Sequence, residues 1–323
     1  MADLRIIFFG TAELACASLS ALAASGIGEV VGVVTQPDRP KGRELKLTPS
    51  PVKTLAEELK LPVLQPARAR DPQFIQTLAE LRPDLIVVAA YGQILPPAIL
   101  DLPRHGCLNV HTSLLPKHRG AAPIQWAILN GDCETGVTIM KMDPGLDTGG
   151  ILTQQTTPIV PEDNAQTLHD RLARLGAELL LQTIPDYVSG NILPHPQLPE
   201  GASYARKITK EDGRLDWNHP ARGLWNQIRA LTPWPGSFTF LPGTTERPLL
   251  KIWQAEVIEN TSGQSGEILR AERADLVVAC GEQALGLLVL QREGGRRLSA
   301  AEFLSGHPLQ AGLRLLTVQS PLP

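Results

Sequence analysis

LRIIFFGTAELACASLSALAASGIGEVVGVVT, residues 4–35, decides how the rest of the chain is organised. Residues 4–9 form an apolar run of strand length, broken only by Arg5 and closed by Gly10-Thr11. Runs of this length bounded by turn residues fit a strand buried in a sheet. An Ala- and Leu-rich segment to about residue 25 then predicts a helix. Residues 29–35, EVVGVVT, are rich in valine and predict a second strand. Strand, helix and strand make a βαβ unit, and the two strands of such a unit lie parallel. The first turn carries Gly10 followed by Thr11 and Ala12 rather than G-x-G-x-x-G. Nothing in it specifies a dinucleotide pyrophosphate. The expected fold class is therefore α/β, a Rossmann-like open parallel sheet without the dinucleotide fingerprint.

The pattern continues outward. Residues 50–60 predict a helix with Pro51 suited to its first turn, residues 62–64 a short strand, and residues 71–81 another helix. DLIVVAA, residues 84–90, is the most strand-like run in the chain and predicts a central strand covered on both faces. Residues 106–126, GCLNVHTSLLPKHRGAAPIQW, hold a short apolar strand that ends in Asn109-Val110-His111. A helix over 121–130, a strand over 136–142, the loop DPGLDTGG, a strand near 151–159 and a long helix over 164–189 follow. Beyond about residue 209 one helix precedes short strand-like runs broken by Gly and Pro, which predict a small β-barrel. The expected division is a first domain over 1–190, a linker over 191–208 and a barrel over 209–323.

Composition narrows the class. At 323 residues the chain suits two domains, and 43% hydrophobic with 20% charged residues describes an ordinary globular protein. No apolar stretch approaches the ~20 residues of a membrane span. Cys16, Cys107, Cys133 and Cys280 are far apart and form no CxxC pair, so they predict buried thiols in a reducing compartment. Cytoplasmic location, no membrane association and a monomeric state are expected. A net charge of −3 argues against a protein dominated by phosphate contacts. Any nucleic-acid contact must be local. The best candidate is PDRPKGRELKLTPSPVK, residues 37–53, although a solvated surface loop would read the same way.

Three strands in succession end in unusual polar or Gly-rich loops: Tyr91-Gly92-Gln93, Asn109-x-His111, and Asp143-x-Gly145-x-Asp147-Thr148-Gly149. In an open parallel sheet, ligands bind beyond the carboxyl ends of the strands. The three loops share one crevice if their strands are neighbours. An Asn amide there can donate to an oxyanion, and a histidine can stabilise that charge or carry a proton. A nearby carboxylate can orient the histidine, with Asp143 and Asp147 both available. Ser113 has no G-x-S-x-G surroundings, so direct transfer is favoured over a covalent intermediate. His105, His111 and His118 fit no zinc spacing, and no metal is expected.

These residues carry a family resemblance. Asn109-Val110-His111, Ser113-Leu114-Leu115-Pro116 with Arg119-Gly120-Ala121-Ala122-Pro123-Ile124, and Asp143-x-Gly145-x-Asp147-Thr148-Gly149 resemble the 10-formyltetrahydrofolate-dependent formyltransferases. The likeness extends to Thr35-Gln36-Pro37-Asp38-Arg39-Pro40, Ala90-Tyr91-Gly92, Tyr204-Ala205, Asp216-Trp217 and Pro233-Trp234-Pro235-Gly236. It implies that Asn109, His111 and Asp147 are catalytic. It implies a folate co-substrate, 10-formyltetrahydrofolate, held by Ala89, Tyr91, Gly92, Ile94, Ser113, Leu114, Leu115, Pro116, Asp143 and Gly145. The acceptor it implies is the α-amine of initiator methionyl-tRNA. The basic loop, with Arg39, Lys41, Arg43 and Lys46, would meet the acceptor stem, and an OB-like second domain would also contact tRNA. Glycinamide ribonucleotide formyltransferase would not need the region beyond 209. Amino-sugar formyltransferases and formyltetrahydrofolate hydrolases are nearer rivals. The basic loop and Pro233-Trp234-Pro235 favour the tRNA reading.

Overall fold

The protein is described by a computed structural model, which places residues 4–41, 46–242 and 248–316. Two compact units emerge. The first comprises Met1–Pro123, Glu134–Pro158 and Leu168–Arg206; the second comprises Ile124–Cys133, Ile159–Thr167 and Lys207–Pro323.

The first unit begins with β1 (Arg5–Gly10), α1 (Glu13–Ser25) and β2 (Glu29–Val34). The small hairpin β3 (Arg39–Lys41) and β4 (Lys46–Thr48) precedes α2 (Pro51–Glu58), β5 (Val63–Leu64), α3 (Pro72–Glu80) and β6 (Leu85–Ala89). Then come α4 (Pro97–Leu100), β7 (Cys107–His111), β8 (Arg119–Gly120), β9 (Glu134–Lys141), β10 (Ile151–Pro158), α6 (Ala165–Val188, from Leu168 onward) and β11 (Tyr204–Ala205), while α5 (Pro123–Leu129), which follows β8 in the chain, belongs from Ile124 onward to the second unit. Local chemistry sets the helix starts. Ser50 Oγ accepts the Lys53 amide at 3.0 Å and Asp71 Oδ1 accepts the Gln73 amide at 2.9 Å, each with proline in the first turn. Gly26, with φ +66°, ends α1 in the left-handed conformation that favours glycine.

Seven strands form one sheet in the order β10-β9-β7-β6-β1-β2-β5. Every residue of β6 is buried, as expected of a strand covered on both faces. From β7 to β5 all pairings are parallel. β9 runs antiparallel to β7, and β10 runs antiparallel to β9. The architecture is thus the expected Rossmann-like α/β sheet, with two antiparallel pairings at one edge because β9 alone is reversed. That edge changes the expected geometry of the mouth. β6, β7 and β9 are neighbours, but β9 leaves the sheet at the opposite end, with Lys141 beside Leu108 and Thr138 beside His111. The 143–149 loop must fold back to reach the end of β7.

The second unit contains α7 (Ala221–Ala230), β12 (Ser237–Phe240), β13 (Leu249–Ile258), β14 (Ile268–Glu272), β15 (Asp275–Ala279), β16 (Ala284–Arg292), β17 (Leu298–Ser299) and α8 (Ala300–Gly306). Its sheet is antiparallel in the order β12-β13-β16-β15-β14, with β17 on β16. Residues 313–316 bridge both edges. Leu316 pairs with Phe240 of β12, while Arg314 pairs with Glu267 just before β14, closing the sheet into a barrel. Trp217 is fully buried in its core and donates Nε1–H to Thr239 Oγ1 at 3.0 Å. Among the described residues, no helix is long and apolar enough to cross a membrane.

Candidate active site

Asn109 and His111 sit two residues apart on β7, so their side chains share one face of the strand. His111 is buried at 6% exposure and Asn109 is half-buried. The returning loop brings Asp147 to the same face. Asn109 Nδ2 lies 3.4 Å from Asp147 Oδ1, and His111 Nδ1 lies 3.7 Å from Asp147 Oδ2. The Gly120 amide donates to Oδ2 at 2.8 Å. The other imidazole nitrogen, Nε2, lies 3.0 Å from the His118 carbonyl oxygen, which only accepts, so the proton of that bond belongs to the ring. His111 therefore has an acceptor on each side. Of the two candidate carboxylates, Asp147 joins the amide and the imidazole.

Asp143 serves the loop itself. Its Oδ1 accepts from the Gly145 amide at 3.1 Å and from Thr148 Oγ1 at 2.7 Å. Gly149 lets the loop close against β9, because a Cβ there would stand 1.9 Å from the Lys141 carbonyl oxygen. The fold-back is therefore encoded in Asp143, Thr148 and Gly149.

Ser113 is fully buried and donates Oγ–H to the Lys117 carbonyl at 2.5 Å. It is an organiser of the turn and is not poised as a nucleophile. Thr138 Oγ1 donates to Ser113 O at 2.6 Å and receives the Leu115 amide at 3.1 Å, while Gln154 Nε2 donates to Leu115 O at 2.9 Å. Leu114, Leu115 and Pro116 are thereby fixed as a shaped wall, with Leu115 buried and its two neighbours half-buried.

The β6 exit is less uniform. Ala89 ends the strand in the core, and Gly92 has φ +83° with Gln36 Nε2 only 2.6 Å from where a Cβ would be. The Tyr91 ring packs edge-on against Phe9, with centroids 5.1 Å apart. Burial pushes its phenol up to about 12, and its hydroxyl has no protein partner. The Tyr91 ring belongs to the core, and its backbone carbonyl accepts from Thr11 Oγ1 and Gln36 Nε2. Ile94 is 79% exposed and lines an open cavity of about 540 Å³ with Arg68, Arg70 and Gln93.

The basic segment forms the β3–β4 hairpin, in which the backbones of Lys41 and Lys46 pair. Arg39 is exposed, with its guanidinium donating to Gln36 Oε1. Arg43 lies outside the described residues, as do the side chains of Lys41 and Lys46. Lys53 Nζ anchors the root of the hairpin 2.7 Å from Asp38 Oδ2, and this bond holds the Asp38 carboxyl below its usual range.

Sequence reading missed several residues. Gln197 donates Nε2–H to the carbonyls of Asp147 and Gly149 at 2.9 and 2.8 Å. Arg119 donates to Gln197 Oε1 at 3.0 and 2.7 Å. In the second unit, Arg229 and Arg222 lie over the Trp225 ring at 4.2 and 5.0 Å, and Arg297 lies over Trp253 at 3.7 Å. Trp225, Arg229, Trp253 and Arg297 line a cavity of about 340 Å³. Arg222, Trp225 and Arg229 lie at i, i+3 and i+7 of α7, a helical spacing the sequence does show, whereas no local pattern joins Arg119 to Gln197 or Trp253 to Arg297. Among the described residues, no group of three or more His, Cys, Asp or Glu side chains is placed to hold a metal ion.

Residues 4–184 match the formyl transferase family and residues 207–308 match the formyl transferase C-terminal domain, and the chain belongs to that family. Within it, relatives named methionyl-tRNA formyltransferase are similar over nearly the whole length. That of Geobacter sulfurreducens is 50% identical over 315 residues, 98% of each chain. That of Caldanaerobacter subterraneus is 50% identical over 311 residues, 96% of this chain and 99% of the relative. An N-formyltransferase from Helicobacter canadensis, solved with folinic acid and dTDP-3-aminofucose, shares the fold with a TM-score of 0.64 at 19% identity, covering 89% of this chain and 99% of that one. The resemblance read from the motifs is borne out.

Proposed function

We propose that this chain transfers the formyl group of 10-formyltetrahydrofolate to the α-amine of initiator methionyl-tRNA, with Asn109, His111 and Asp147 as the catalytic residues. The observation that carries the reading is the meeting of one carboxylate with an amide donor and an imidazole on a single strand face. Near-full-length identity to relatives named for that activity supports the choice of acceptor.

The neutral amine attacks the formyl carbon, a C–N bond forms, and the carbonyl oxygen gathers negative charge. An Asn109 Nδ2–H donates to that oxygen, an interaction stronger in the transition state than with the ground-state carbonyl. The amine loses a proton, which His111 accepts at Nδ1, facing Asp147. The oxyanion re-forms the carbonyl, the bond from the formyl carbon to N10 of the folate breaks, and N10 takes up the proton that His111 gives back. Formyl-amine and tetrahydrofolate result, so atoms and charge balance. The chemistry needs no metal, and Ser113, tied to Lys117, plays no covalent part.

The β6 exit, the Leu114–Pro116 wall and the 143–149 loop form the proposed folate site. The basic stretch of sequence over residues 37–53, with Arg39, Lys41, Arg43 and Lys46, and the barrel are proposed to meet the tRNA. A cytoplasmic monomer fits this role. The test supplies 10-formyltetrahydrofolate with charged initiator tRNA and follows formyl-methionine. Formate release, or transfer to an amino sugar with none to tRNA, would overturn the reading.

A further inference from the structure

Lys117–Gly120 is the part of the strand–loop motif to which the proposed chemistry gives no reacting group. Two residues flanking the site, Asp147 and His118, have φ of +53° and +59°. Left-handed backbone is unfavourable for residues with a Cβ and persists where the surroundings over-determine it. The surroundings here come largely from the segment that the sequence marks as a linker. Ser203 Oγ accepts the His118 amide at 2.9 Å, and β11 pairs in parallel with β8. His195 exchanges both backbone bonds with Ile151, at 2.8 Å each.

Gln197 is the centre of this brace. Its Oε1 faces two guanidinium donors of Arg119, and its Nε2 faces the carbonyls of Asp147 and Gly149. One side offers only donors and the other only acceptors, so the amide has a single satisfactory orientation and all its bonds are made. Gly120, next to Arg119, donates to the Asp147 carboxylate. Asp147 is thus gripped at its carbonyl by Gln197 and at its carboxylate by the neighbour of Gln197's own partner.

The geometry points to Gln197 as a positioning residue for formyl transfer: through Arg119 and the 147–149 carbonyls it holds Asp147 within reach of Asn109 and His111. This rests on the reading of Asp147 as catalytic. Small displacements of a catalytic group cost about 10- to 100-fold in rate. A purely structural tether would lower thermal stability and leave turnover per folded molecule intact.

The experiment compares wild type, Gln197→Ala, Gln197→Glu, Asp147→Asn and the Gln197→Ala/Asp147→Asn pair, with melting temperature, kcat and KM measured for each. Gln197→Glu keeps the acceptor for Arg119 but sets an oxygen against two carbonyls, so it decides the matter if the alanine variant does not fold. Both Gln197 variants are expected to lose about 10- to 100-fold in kcat, with KM for the folate and the tRNA within about threefold and melting within a few degrees. In the Asp147→Asn background the Gln197→Ala loss should vanish, because a residue acting through Asp147 is not additive with it. Turnover within twofold of wild type for both Gln197 variants, or an undiminished loss in the double variant, would overturn the proposal. Wild-type turnover in Asp147→Asn would instead remove the catalytic assignment and the proposal with it.

Discussion

The proposed catalytic crevice of the first unit and the barrel of the second are built on opposite principles. In the crevice, polar groups interlock across long stretches of chain: Asn109 with Asp147, Gly120 with Asp147, Arg119 with Gln197. Each contact contributes little to stability and much to position. In the barrel, Leu215, Trp217, Ile252, Val278, Leu285 and Phe303 pack into an apolar core. There, position follows from packing, and stability is what a substitution removes. The same size of perturbation should therefore appear as lost turnover in one unit and lost folding in the other.

The widest expected separation comes from His111→Ala. Its turnover should fall by about 10²- to 10⁴-fold, the range for loss of a general base, while tRNA affinity and melting stay near wild type. Retained turnover would end the comparison. Trp217→Ala should do the reverse. Truncating a fully buried Trp typically costs about 3–5 kcal/mol, and calorimetry should show an early transition, with turnover at low temperature close to normal. Arg43→Ala should raise KM for tRNA and reduce the salt slope of tRNA binding by about 1, the change for one lost phosphate contact, without altering KM for the folate. A matching loss of folate binding would place Arg43 in the crevice. The smallest effect is expected from Tyr91→Phe. Removing a buried hydroxyl with no partner should leave melting unchanged or raise it, by up to about 1–3 kcal/mol in stability. A tenfold rise in folate KM would show the phenol to be part of the site after all.

Much of this contrast was legible in the chain. Hydrophobic runs such as LIVVA mark buried strands, and Asn-x-His at a strand end marks polar groups that need a partner. Direction was not legible. GVTIMK reads identically whichever way β9 runs, because an apolar run encodes burial and not orientation. The brace was hidden for a related reason: Arg119 and Gln197 are 78 residues apart and belong to no common periodic pattern. The direction of the Tyr91 ring was not legible either. A polar aromatic at a strand exit suggests a ligand contact, yet the ring turned inward to complete the packing around Phe9.

The second unit is not one continuous piece of chain. Ile124–Cys133 and Ile159–Thr167 cluster with it, and Arg229 donates to the carbonyls of Val160 and Asp163 at 3.2 Å each. A gene divided between Arg206 and Lys207 would respect both family matches and yet cut through this body. The downstream product would lack the carbonyls that Arg229 binds, and the upstream product would carry two segments with nothing to cluster against. Evolution by swapping the barrel onto another enzyme would meet the same obstacle. The second unit draws on three separate stretches of chain, two of them interleaved with the first.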